Sequence, residues 1–199
     1  MGIIEGGSKL YLNVKNDSNE KAKIHFQRDG EEHFVSGYDG YITDIRIKKV
    51  NAERPFKVFE IYLEDEGEKA ILSLPYTADF SWLALNSLAS IDGPFGKIEF
   101  SPWNSAYKGK SQKILSIYMN GEKLEWKYKM GKDDGEVPPV DYTNMGTEDD
   151  PEWKGDDTKR QLFFRDLAEE LGKKVRGEIK KNGVADGGLP ATDTSITEG

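Results

Sequence analysis

A chain of 199 residues without cysteine excludes disulfides, thiolate metal centres and cysteine nucleophiles, and it has the length for one sizeable core plus extensions. A formal net charge of −8 argues against a uniformly basic surface, and no apolar run is long enough for a membrane span. The opening residues, MGIIEGGSKL, hold no signal-like stretch, and Gly6 stands where a myristoylation signal wants Ser or Thr, so a soluble, unanchored protein of a reducing cytoplasm is expected.

Taken in chain order, Leu10, Leu12 and Val14 alternate, and KIHFQ and EHFVS flank Asp29-Gly30, a tight-turn signal, which predicts an N-terminal hairpin region over 10–40. YITDIRIKKV places Tyr41, Thr43, Ile45 and Ile47 on one face of a strand and Asp44, Arg46 and Lys48 on the other. FKVFEIYLED and KAILSLPY, joined at Glu66-Gly67, read as two more strands, the second ended by Pro75. ADFSWLALNSLASIDGP predicts a short helix capped by Asp79, with Trp82, Leu85, Leu88 and Ala89 on its apolar stripe and Gly93-Pro94 as its stop. KIEFS is a further strand, and KILSIYM and EKLEWKY surround Asn120-Gly121 as a hairpin. That turn sets Ile117 opposite Leu124 and Leu115 opposite Trp126, which assigns Trp126 to the core, while Tyr118 and Tyr62 point away from the aliphatic faces of their strands.

The character of the chain changes after Met130. Residues 133–157 carry ten carboxylates against Lys154 alone, with much Pro and Gly, the composition of a flexible acidic linker over 132–157. Thr158 to Lys181 has Phe164, Leu167, Ala168, Leu171, Val175 and Ile179 at helical spacing, an amphipathic helix, and 182–199 is small and polar, a frayed tail. The helix can dock on the strands, pair with a second copy, or bind a partner through Phe164, Leu167, Leu171 and Val175.

The linker hides a basic region. From Lys97 to Met130 seven lysines face three glutamates, with six aromatics interleaved. Two loops, NAERPFK and PWNSAYKGKSQ, concentrate Arg54, Phe56, Lys57, Trp103, Tyr107, Lys108 and Lys110, a pairing of cation and ring that is nucleic-acid-binding chemistry.

Strand, loop, strand, turn, strand, helix, strand, loop, strand is the order of an OB-fold, and here the two basic aromatic loops are its first and fourth connections. Over about Tyr41 to Tyr128 the chain resembles the OB-fold single-stranded DNA-binding proteins, and in its added hairpins and acidic extension the phage-encoded type. The resemblance implies an all-β fold: an OB-fold-like five-stranded barrel (41–129) within a binding domain (1–131), one short helix between strands 3 and 4, and a C-terminal amphipathic helix after an acidic linker. It also implies sequence-tolerant binding and protection of single-stranded DNA, or RNA, during replication or recombination, without catalysis or cofactor, in a bacterial cytosol that includes that of a phage-infected host. Phe56, Tyr62, Trp103, Tyr107 and Tyr118 would stack on bases, Arg46, Lys48, Lys57, Lys108, Lys110 and Lys113 would hold phosphates, and Arg54 would do either. Replication or recombination proteins would engage the acidic linker and terminal helix. The acids here lie mid-tail and the chain ends in Gly199, a departure from the family's simple acidic terminus.

Blander readings compete. Trp82 reads as core, and loop lysines are ordinarily solvated surface. His25 and His33 have no partners placed for a triad or a metal, the acidic run lacks a calcium-loop pattern, and GYDGY lacks the lysine and helix of a phosphate loop. A β-rich assembly or interaction protein is the alternative class, and an oligosaccharide-binding module a third.

Overall fold

The computed structural model describes residues 9–50, 56–107, 110–131, 135–147 and 150–181. Nine strands form one sheet: β1 (Leu10–Asn16), β2 (Ala22–Arg28), β3 (Glu31–Val35), β4 (Tyr38–Val50), β5 (Phe56–Asp65), β6 (Glu68–Pro75), β7 (Lys97–Tyr107), β8 (Lys110–Met119) and β9 (Glu122–Lys123). Helix α1 (Asp79–Ala89) lies between β6 and β7, and α2 (Thr158–Lys181) follows a two-stranded hairpin of β10 (Asp141–Asn144) and β11 (Trp153–Asp156).

The three expected tight turns are all present. Asp29-Gly30, Glu66-Gly67 and Asn120-Gly121 have positive φ at both residues (54° and 84°, 49° and 84°, 55° and 81°), the type I′ geometry that matches strand twist.

Sheet order is β3-β2-β1-β6-β5-β4-β7-β8-β9, and every pairing is antiparallel except β1 with β6. The five-stranded barrel expected from the sequence is not closed. β1 takes the outer flank of β6, so β6 and β8 do not pair. The sheet still curls, because the Asn104 side chain on β7 accepts the Ala22 N–H (2.8 Å) and donates to the Glu20 carbonyl (2.8 Å) at the β1–β2 turn.

Pairing rows fix the two faces. Leu12, Leu72, Ile61 and Ile45 form a row across β1, β6, β5 and β4, and all four are buried. The next row on the opposite face is Tyr11, Ile71, Tyr62 and Asp44. A bulge at Thr43 lets both Ile42 and Ile45 point inward, and it reverses the expectation for Tyr41, which faces solvent. Burying the inner rows under two helices supplies most of the stabilisation, at about 25 cal/mol per Å2 of apolar surface removed from water.

The N-cap of helix α1 lies one residue earlier than expected: Ala78 fills it and makes no side-chain bond, while Asp79 stands in the first turn near the positive helix end. Trp82 is buried as expected, and its indole N–H donates to the Tyr76 carbonyl (2.8 Å). Asn86, fully buried, bonds both main-chain groups of Tyr128 (2.8 Å each) and ties the chain after β9 to the helix.

That clamp overturns the expected place of Trp126. The return strand ends at Lys123, with one further bond from Leu124 N–H to the Ile117 carbonyl (2.8 Å), and then the chain leaves for α1. Trp126 is 53% exposed rather than paired with Leu115.

Helix α2 docks on its own chain, the first of the three options. Phe164, Leu167, Leu171 and Val175 are buried in the common core, so the stripe expected to bind a partner is covered intramolecularly. Phe164 stacks on Trp82 at 5.6 Å between centroids, and the Tyr76 hydroxyl donates to the Gln161 carbonyl (3.0 Å). The stretch expected as a featureless linker contains buried Val137 and the β10–β11 hairpin. Among the described residues no helix is long and apolar enough to cross a membrane. The 182–199 tail lies outside the described residues.

Candidate nucleic-acid interface

The solvent face of the curved sheet gathers most of the expected ring residues. Tyr62 stands in the row with Tyr11, and Phe56 follows on the same face of β5. Tyr41 pairs with Lys97 and Glu64, and Tyr118 with Glu99 and Lys123. Trp103 pairs with Ile114 on that face, and its indole N–H donates to Ser116 Oγ (3.0 Å), which fixes the ring while leaving it 47% exposed. Tyr11 and Tyr41 are more open still, at 55% and 52%.

Around Tyr62 the cations are engaged. Arg46 bonds Asp44 through Nε and lies 5.2 Å from the Tyr62 ring centroid, with Lys9 on the same ring at 6.0 Å. Asp44 also accepts the Ile45 N–H (2.8 Å) and a bond from Arg176 of α2. Glu60, buried, is held by Lys48 (3.2 Å) and by the Tyr62 hydroxyl (2.7 Å). Burial and that bond push the Tyr62 phenol up to about 12. Hydrogen bonding to Asp44 raises the Arg46 guanidinium further above its ordinary value. Lys97 sits between Asp65 (2.7 Å) and Asp39 (3.0 Å), both of which raise its pKa, the Asp65 bond most. A cavity of about 360 Å3 opens here beside Lys9, Arg46, Tyr62 and Lys69. With Asp44, Glu60, Asp65 and Asp39 set among Arg46, Arg176, Lys48 and Lys97, the face is close to neutral, and the weight of any polymer contact falls on rings.

The remaining expected site residues separate. Lys57 lies on the opposite face of β5 from Phe56, 5.2 Å over the Tyr76 ring. Lys113 belongs to the inner face of β8. Tyr107 and Lys110 pair at the end of the β7–β8 ladder, but their side chains, like all of Arg54 and Lys108, lie outside the described residues. Tyr11 was legible as outward from its place between Leu10 and Leu12, whereas Tyr41 was masked by the bulge. Among the described residues no three His, Asp or Glu side chains are placed to hold a metal ion.

No protein-family model matches the chain, and no curated protein matches its sequence. The site therefore stands on its own geometry.

A second region lies at the edge of β8. There a cavity of about 280 Å3 runs between the strand, Trp103 of β7, Leu83 and Ser87 of α1, and Trp126. It is continued by one of about 390 Å3 reaching Lys113, Asp79 and Arg160.

Proposed function

We propose that the protein binds single-stranded nucleic acid, DNA first, across the solvent face of its sheet, without sequence preference and without chemistry. The observation that carries this reading is the alignment of Tyr11, Tyr62, Tyr41, Tyr118 and Trp103 on one exposed face, where rings have no core to fill. Each base stacked on such a ring contributes about 1–3 kcal/mol, and every base has a face to stack. The strand order β6-β5-β4-β7-β8 with α1 between β6 and β7 supports the finer fold reading, an OB-type sheet left open by β1. We infer a role in covering strands during replication or recombination in a bacterial cytosol.

Because the face is near neutral, salt dependence should be moderate. Two or three phosphate contacts, at a slope of about −0.7 each, weaken binding roughly tenfold between about 50 and 200 mM salt. Titrating the intrinsic tryptophan fluorescence with a long oligo-thymidine at those two salts tests this. Quenching that weakens with salt and is lost in Trp103→Ala is the expected result, and no quenching at the lower salt overturns the reading.

A second reading, a non-enzymatic interaction or assembly protein, is favoured by the acidic β10–β11 hairpin, which leaves Tyr142, Met145 and Trp153 exposed. There the hairpin rather than the sheet face would be the functional surface.

A further inference from the structure

The lane beside β8 is half filled. Within a strand the N–H and C=O of one residue point to the same side and alternate from residue to residue. The Ile117 carbonyl accepts the Leu124 N–H (2.8 Å), so Ile117 turns its main chain away from β7, and with it Leu115, Lys113 and Ser111. Pro102 opposite Leu115 agrees with this, since a residue without an N–H fits where neither member of the pair bonds the other. Among the described residues no strand takes up the main-chain groups of Leu115 and Lys113 on that side, because β9 pairs only with Tyr118 and Met119. These groups open into the two cavities, which both reach Ile114 and Trp126.

We propose that this lane is a strand-addition site for an extended segment of a partner protein, with a carboxylate opposite Lys113 and apolar side chains on either side of it. Donors and acceptors at a two-residue repeat are the complement of another peptide strand. The carboxylate follows from charge: the residue opposite Lys113 would lie on the face where Lys113 and Arg160 border the cavity, against Asp79 alone. The apolar positions follow from Leu115, Ile114 and Leu83 around the lane. A second copy of β8 fits worse, because antiparallel pairing about Lys113 sets two lysines directly opposite each other.

The test uses the full chain and three peptides: acetyl-Thr-Val-Glu-Val-Thr-amide, the same with Lys for Glu, and the first with its glutamate and both valines N-methylated. The readout is the NMR shift and hydrogen-exchange protection of the Lys113 and Leu115 amides. The glutamate peptide should shift and protect both, the lysine peptide should bind about tenfold more weakly, and the N-methylated one should fail. Lys113→Pro removes the outward N–H and should abolish binding, while Lys113→Ala keeps protection with reduced affinity. No shift of these amides at millimolar glutamate peptide overturns the proposal. So does equal binding by the N-methylated peptide, protection by oligo-thymidine in place of peptide, or concentration-dependent protection in the protein alone.

Discussion

Gly172 of α2 lies against Ile45 of β4 so closely that a Cβ on the glycine would stand 2.4 Å from the Ile45 carbonyl oxygen. Backbone cannot yield as a side-chain tip can, so Gly172→Ala must lift the helix. A loss of about 1–3 kcal/mol is expected, the range for overpacking. Urea unfolding followed by circular dichroism measures it, and Gly177→Ala, where a Cβ would meet nothing within 4 Å, is the matched control and should leave the midpoint unchanged or raised.

Asp44 fastens the same face of that helix one turn on, receiving Arg176 together with Arg46 and the Ile45 N–H. Both guanidiniums reach water, with side chains 61% and 45% exposed, so removing the carboxylate strands chiefly the buried amide. Asp44→Ala should cost about 2 kcal/mol, within the range for an unsatisfied buried donor. Arg176→Ala should cost less, and a reversed order in urea midpoints would contradict this account.

Tyr62 supplies a pH signature. Its folded pKa of about 12 exceeds the ordinary 10.0, because burial and the Glu60 bond favour the neutral phenol. The stabilisation is therefore complete below about pH 10 and is lost as pH rises from there towards 12, since the unfolded chain releases its proton first. Unfolding measured across this window should steepen less with pH in Tyr62→Phe than in the natural chain.

Of the three exposed indoles, Trp103 and Trp126 should behave differently. Trp103 stands on the ringed face and Trp126 follows β9 towards α1, although both border the cavity of about 280 Å3 beside β8. Trp103→Ala should weaken oligo-thymidine binding by about 1–3 kcal/mol, and Trp126→Ala should leave it within error. Fluorescence anisotropy with a labelled oligonucleotide reads both, and equal losses would merge the two surfaces into one.

Asn86 holds Tyr128 by two hydrogen bonds of 2.8 Å from a fully buried amide. Asn86→Ala should cost about 2 kcal/mol and release the segment carrying Trp126. A red shift or increased quenching by iodide, confined to one tryptophan, is the expected spectroscopic result.

What the sequence disclosed was local. Asp29-Gly30, Glu66-Gly67 and Asn120-Gly121 fold as two-residue chemistry dictates, and the apolar spacing of Trp82 to Ala89 and of Phe164 to Val175 marks both helices. What stayed hidden depended on distant residues. The period-two pattern of β4 gives no sign of the bulge at Thr43, so Tyr41 was assigned inward. The register from Asn120-Gly121 extends to Trp126 on paper, but Asn86, on a helix about forty residues earlier, takes the chain elsewhere. Amphipathic spacing in α2 announced a buried stripe without naming its cover, which is the chain's own β4 and α1. Outwardness of Tyr62 and Tyr118 was legible, as was Asp44 beside Arg46 on one strand face, whereas Glu60, which neutralises Lys48, is met only once β4 and β5 pair.

The parallel contact of Leu10 to Asn13 with Ala70 to Ser73 joins residues sixty apart, while β4, β5 and β6 follow one another through short connections. Closing so long a loop costs entropy before any contact rewards it, so the β4–β6 meander is expected to form before the β1–β3 ribbon docks on it. During synthesis the first three strands emerge as a ribbon with an unmet apolar side and wait for β6 before they can bury it. That interval, rather than the finished protein, is where the chain is most exposed to misassociation and where a holding chaperone would find it.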